Sequence, residues 1–293
     1  MNRLRIVIGV IAVLAAAATA ATSASAATPE WYGCIKVPKI EKMHHGAYND
    51  KHCSSPNAEG RGRYELRPGA GGDSRLRGKS HQAVLHVKTY AGDIYVVCKK
   101  TSDSGVPTAP SSETDVELDL TQCVLEGQKH EVCTSDNTKI PGELRFHAME
   151  GELGYIQESP DVVGLRLEQA EEIEVPASER VVTSFNCGEE LRATVRGQLV
   201  GIEQGNIDAT GKKSELILAA GENLGTLETE GMQFAPLVNL LSFAGEEGAP
   251  QVLTATLCGT RVESLYGSEC TPSEYAGLDL TVHSKSEGRM ITT

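Results

Sequence analysis

The sequence predicts an all-β protein, an antiparallel sandwich or barrel with a small disulfide-stapled N-terminal head. Three observations predict it. From residue 75 onward, short runs alternate apolar and polar residues with period two, as strands with one buried face do. Gly, Asp and Ser cluster between the runs, where turns need them. Only FAPLVNLLSFAG, Phe234 to Gly245, looks like a short helix or apolar loop, so no series of amphipathic helices supplies the crossovers of a parallel sheet.

In chain order, residues 1–26 carry a basic n-region (Arg3, Arg5), the apolar run IVIGVIAVLAAAATAAT and a small-x-small site at Ala24-Ser25-Ala26. That is the layout of a secretory signal peptide. The apolar run is short for a membrane span of about 20 residues. Cleavage before Ala27 or Thr28 is expected to release a secreted, extracellular protein without stable membrane insertion; a retained N-terminal anchor is the alternative. Residues 27–68 form a cysteine-containing head, and 69–74 form a Gly-rich linker by composition. Residues 75–257 form the β-sandwich-like body, and 258–293 a tail with a disulfide loop and a final strand.

The strands follow from parity. In AVLHVKT, Leu85 and Val87 point one way, His86 and Lys88 the other. DIYVVC sets Ile94, Val96 and Cys98 on one face. DVELDL opposes Val116, Leu118 and Leu120 to Glu117 and Asp119, and ELRFHA opposes Leu144, Phe146 and Ala148 to Arg145 and His147. VVGLRLE, VVTSFNC, LRATVRGQLV, ELILAA, VLTATLC and GLDLTVHS continue the pattern. The core is aliphatic, with 1 Trp and 4 Phe among 293 residues, so covalent support is expected.

The 8 cysteines, Cys34, Cys53, Cys98, Cys123, Cys133, Cys187, Cys258 and Cys270, read as four disulfides in an exported chain. Cys34 and Cys53 are the only pair in the head, and their bond would contribute about 3 kcal/mol to a region too small for its own core. Cys98 shares a face with Ile94 and Val96, and Cys187 with Val181 and Phe185. Parity therefore favours an inter-sheet Cys98–Cys187 bond, as in immunoglobulin-like sandwiches. Cys123–Cys133 would then close a hairpin and Cys258–Cys270 the tail loop. The alternative joins Cys98 to Cys123 and Cys133 to Cys187.

The net charge of −13 is unevenly spread. Glu30 to Lys100 holds 13 Lys/Arg against 7 Asp/Glu, and Thr101 to Thr293 holds 12 against 33. So acidic a body argues against nucleic acid, whereas a basic head suits an acidic surface such as a wall polymer or phospholipid. The head offers Lys36, Lys39, Lys42, Arg61 and Arg63 as charge, with Trp31, Tyr32 and Tyr64 as aromatic surface.

Other constellations are weaker. His44, His45, His52 and Cys53 could be read as zinc ligands, but adjacent histidines ligate one ion poorly and Cys53 is expected to be oxidised; no metal or cofactor is expected. Glu117 and Asp119, with Glu113 and Asp115 just before them, form an acidic row suited to calcium or paired acid/base work, although charged strand faces are ordinary and no calcium loop is present. EGELGY and EEIEVP are read the same way. No G-x-S-x-G, S-x-x-K or H-E-x-x-H signature occurs, and GAGGD precedes no helix.

The head, W-Y-G-C-I-K … G-A-Y-N-D-K-H-C … G-R-Y-E-L-R-P-G, resembles the start of a group of uncharacterised secreted proteins of soil actinobacteria. In that group a short Cys…Cys module ends in a Gly-x-Tyr-Glu-Trp-x-Pro-Gly-like segment; here Leu66 takes the tryptophan position. VVCKKTSDSG, LTQCVLEGQKHEVCTS, MEGELGYI, VVGLRLEQ, SFNCGEELRATVRGQLVGIEQGN and YAGLDLTVHS extend the likeness. CGTRVESLYGSEC departs from it as an added disulfide loop. The resemblance implies an exported β-rich protein and carries no catalytic residues to transfer.

Two functions follow as expectations. The first is a secreted, non-catalytic protein that binds a wall polymer or another surface component through its head. The alternative is an extracellular hydrolase using carboxylates such as Glu117, Glu150 or Glu152.

Overall fold

A computed structural model describes residues 29–51, 53–68, 76–80, 82–89, 92–127, 131–158, 161–170, 175–204, 214–218, 253–267, 269–273 and 275–285. The predicted signal segment, the predicted 69–74 linker, His52 and FAPLVNLLSFAG lie outside them. The strands are β1 Tyr32–Lys36, β2 Tyr64–Pro68, β3 Leu76–Ser80, β4 Ala83–Thr89, β5 Gly92–Ala109, β6 Ser112–Leu125, β7 Cys133–Ser135, β8 Glu143–Arg145, β9 Met149–Glu158, β10 Asp161–Gln169, β11 Val181–Cys187, β12 Leu191–Arg196, β13 Leu199–Gln204, β14 Ser214–Leu218 and β15 Thr254–Cys258. One α-helix follows, α1 Thr260–Tyr266, and then β16 Cys270–Pro272 and β17 Tyr275–Lys285. The fold is all-β and antiparallel.

The ladders of the largest sheet return on themselves. β4 pairs with β5, β5 with β6, β6 with β9, β9 with β10, β10 with β13, β13 with β14, β14 with β17, and β17 with β4. A barrel-like ring of pairings results, and such a ring leaves fewer open edges for unwanted association. A second sheet, in the order β16-β15-β12-β11-β7, shares one apolar core with it. The head is a separate two-stranded ladder of β1 and β2.

Parity explains the core. Ile94, Val96 and Cys98 on β5, and Val116, Leu118 and Leu120 on β6, are all buried, as are Leu144 and Phe146. Phe146 and Phe185 are the largest fully buried side chains. Three readings shift. His86 is buried rather than exposed: Tyr95, directly opposite on β5, stacks on its ring at 4.6 Å and covers it. Ala148 is exposed because β8 ends at Arg145 and the chain turns into β9. On β11 a register shift between Val181 and Thr183 buries Val182 in place of Val181.

The disulfide pairing favoured by parity is also corrected. Cys98 is bonded to Cys123 and Cys133 to Cys187, not Cys98 to Cys187 and Cys123 to Cys133. All four point into the core with 0% exposure, so inward orientation does not distinguish the partners. Register does: Cys98 lies directly opposite Cys123, and Cys133 opposite Cys187, with Cα atoms 4.0 Å apart in both pairs. Cys258 and Cys270 are likewise opposed and bonded, and Cys34 is bonded to Cys53. Helix α1 sits inside the Cys258–Cys270 loop, too short to leave a periodic signal. It ends at Gly267, whose φ of 69° is the left-handed C-cap that glycine adopts without a Cβ clash.

Candidate binding surface

The head is organised by covalent and local polar bonds. Asp50 accepts hydrogen bonds from the Ser54 and Ser55 amides, the latter at 2.7 Å, and Asn57 Oδ1 accepts from the Glu59 and Arg61 amides at 3.0 Å. Side chains of this kind hold a loop that has no core of its own. The segments around Gly46 and Gly62 approach so closely that a Cβ at Gly62 would stand 2.2 Å from the Tyr48 carbonyl oxygen. Only glycine fits there.

Most of the basic set is on the surface. Lys36, Lys39, Lys42, Arg61 and Arg63 are exposed, while Tyr32 and Tyr64 are half-buried. Lys36 lies directly opposite Tyr64 in the β1–β2 ladder, and Tyr32 falls on the same face by parity. Lys39 and Lys42 belong to a separate turn, and Arg61 and Arg63 flank Gly62. Trp31 is not part of this surface. It is 3% exposed, donates its backbone N–H to the Pro110 carbonyl beyond β5, and packs in the body core. A lone tryptophan in an aromatic-poor chain secures the head to the β5–β6 hairpin.

Of the five cations, only Arg61 has an ion-pair partner among the described residues, Glu59 at 3.4 Å. Four body arginines are engaged: Arg145 with Asp119 at 3.0 Å and Glu143 at 2.7 Å, Arg192 with Asp136 at 3.1 Å, Arg180 with Glu168 at 3.9 Å, and Arg166 with Glu152.

Of the residues weighed as zinc ligands, His52 lies outside the described residues. His44 Nδ1 lies 2.9 Å from the Val37 carbonyl oxygen, His45 is exposed, and Cys53 is in a disulfide. Among the described residues no cluster of three or more His, Cys, Asp or Glu is arranged to hold a metal ion.

The acidic row on β6 is broken. Asp115 takes a φ of 52°, and the register shifts between Glu113 and Val116. This bulge puts Glu113 on the inner face with Val116 and Leu118, not beside Glu117 and Asp119. Glu113 is 4% exposed. Its carboxyl occupies space left by two glycines: a Cβ on Gly151 would meet its Cγ at 2.5 Å, and one on Gly105 its Oε2 at 2.8 Å. Burial, with a smaller contribution from the Asp103 charge, pushes its pKa up to about 8. Glu117 remains exposed, with Ser104 Oγ at 3.5 Å. Burial also raises the Asp119 pKa, against the opposing pull of Arg145.

Glu113, Glu150 and Glu152 line a cleft of about 160 Å³ with Ser112, Thr114, Gly151, Arg166 and Glu168. Glu150 and Glu152 are exposed, whereas Glu113, opposite Gly151 in the β6–β9 ladder, is buried. A glycosidase needs its acid and its second carboxylate flanking one bond. Here the buried carboxyl that holds a proton and the exposed carboxylates line one cleft, in which Arg166 pairs with Glu152.

No protein-family model matches the chain, and no curated protein or solved structure is significantly similar to it. The sequence reading missed the Ile40–Met43 turn described below and the inward turn of Glu113. Both depend on residues other than glycine in the left-handed region, which no residue-type rule forecasts.

Proposed function

We propose that this chain is an exported, disulfide-bonded β protein that binds a polyanionic component at or outside the cell surface through its head, without catalysis. The observation that carries the reading is the cluster of exposed cations in the head: Lys36, Lys39, Lys42 and Arg63 have no carboxylate partner among the described residues, whereas Arg145, Arg166, Arg180 and Arg192 of the body each have one. Four disulfides support export, as do the signal-like N-terminus and the resemblance to exported actinobacterial proteins. Among the described residues no helix is long and apolar enough to cross a membrane.

Retention on isolated cell walls at low and high salt tests this. Wild-type protein is expected to be retained at low salt and released at high salt, because the Debye length falls from about 10 Å at 0.1 M to about 3 Å at 1 M. Replacing Lys36, Lys39, Lys42, Arg61 and Arg63 with Gln should abolish retention. Equal retention of the two proteins would overturn the reading.

A further inference from the structure

The turn between Lys39 and Met43 departs from the rest of the head. Ile40 and Met43 exchange both backbone hydrogen bonds, at 2.8 and 2.9 Å, and so form a directly opposed pair closed by Glu41 and Lys42. Glu41 and Lys42 have φ of 50° and 70°. Two positive φ values in a two-residue turn are the condition that normally selects Asn-Gly or Gly-Gly. A Glu-Lys turn of this shape is strained, and backbone strain of this kind gathers at functional sites.

The turn projects two apolar side chains. Residues that exchange both hydrogen bonds point their side chains to the same face, about 5 Å apart. Ile40 is 59% exposed and Met43 47%, two of the four large hydrophobic residues exposed among those described. Lys39 and Lys42 are their chain neighbours and are exposed, as is Lys36 on the adjoining strand. Ile40 and Met43 form a small apolar face just below the charged tip of Glu41 and Lys42, with Lys39 and Lys36 beside it. Apolar groups on such a face can enter the boundary between headgroups and acyl chains, while lysines spread their stems and keep their ammonium groups at the phosphates.

We infer that the Ile40–Met43 turn is a shallow anchor for an anionic lipid bilayer, with Ile40 and Met43 entering the interface and Lys36, Lys39 and Lys42 contacting headgroup phosphates. The inference rests on the anionic-surface reading and names its partner. A carbohydrate wall polymer would engage the lysines but leave Ile40 and Met43 in water; a bilayer uses both. With only two apolar residues the contact is reversible and depends on charge.

Co-sedimentation of the disulfide-intact secreted protein with vesicles tests it. The probes are phosphatidylcholine alone and phosphatidylcholine mixed with phosphatidylglycerol, with isolated cell walls in parallel. The variants are I40S/M43S, which changes exposed side chains only, and I40W, whose emission is read over the buried Trp31. We expect wild type to pellet with anionic vesicles and not neutral ones, I40S/M43S to partition about tenfold more weakly, and I40W emission to shift to the blue on adding anionic vesicles. Vesicle binding unchanged by I40S/M43S, or no blue shift, overturns the lipid anchor and leaves the anionic-surface reading standing. Retention on walls with none on vesicles does the same. Failure to bind either surface overturns both.

Discussion

Glu113 is the residue most at odds with its surroundings. A carboxyl enclosed by Gly105 and Gly151 beside Asp103 stays protonated up to about pH 8, whereas the same group in an open chain ionises near 4.5. Between those two values the folded state holds a proton that the unfolded state has released. Stability is therefore greatest below about pH 4.5 as far as this group is concerned, falls as pH rises towards 8, and then levels. Glu113→Gln removes the titration at nearly constant shape. Its thermal midpoint is expected to exceed that of wild type at pH 8, with the advantage shrinking below pH 5; each unit of pKa shift is worth about 1.4 kcal/mol. A parallel pH dependence in the two proteins would contradict the burial argument. Gly62 makes a second prediction at this scale. With Tyr48 O 2.2 Å from a Cβ at that position, Gly62→Ala should loosen the head by on the order of 1–3 kcal/mol, seen as faster amide exchange at Tyr48 and Tyr64 with the body strands unchanged.

Among the elements, the disulfides divide into two kinds. Cys98–Cys123, Cys133–Cys187 and Cys258–Cys270 each tie residues directly opposed in neighbouring strands, reinforcing ladders that exist without them. Cys34–Cys53 closes a loop with a sequence separation of 19 in a region whose order otherwise depends on side-chain caps and the docking of Trp31. Cys34→Ser with Cys53→Ser should remove about 3 kcal/mol from the head. Amide exchange is expected to rise across 32–68 while Leu85, Val96 and Leu118 keep their protection. A body that loses protection to the same degree would mean that head and body unfold together. The strands were legible from parity wherever the ladder is regular: β5 through Cys98, β6 from Val116 to Leu120, and β12 all bury the residues that alternation selects. Parity failed at Asp115 and Val181, where one extra residue shifts the phase, and at His86, where a cross-strand tyrosine covers a face counted as wet. For the disulfides it gave direction but not partner, since partners are set by register across the ladder.

For the whole molecule, the charge asymmetry counted along the sequence acquires a direction. The acidic excess lies in residues 101–293, where Arg145, Arg166, Arg180 and Arg192 are engaged with carboxylates, and Lys36, Lys39, Lys42 and Arg63 are exposed in the head without such a partner among the described residues. Near an anionic surface the body is repelled and the head attracted, so the protein should approach head first, through an interaction that salt weakens. The basic segment was legible in the sequence as a set of lysines and arginines. The exclusion of Trp31 and the inclusion of Ile40 and Met43 were not, because exposure is decided by where the head docks and by the shape of one turn.

Lysine-selective labelling, read by peptide mass spectrometry, tests the central claim most directly. The protein would be labelled free in solution and bound to whichever anionic surface retains it, isolated walls or phosphatidylglycerol vesicles. Lys36, Lys39 and Lys42 are expected to be protected on binding, while the equally exposed Lys99, Lys100 and Lys139 of the body keep their reactivity. Protection spread evenly over all six, or confined to the body, would contradict the assignment of binding to the head.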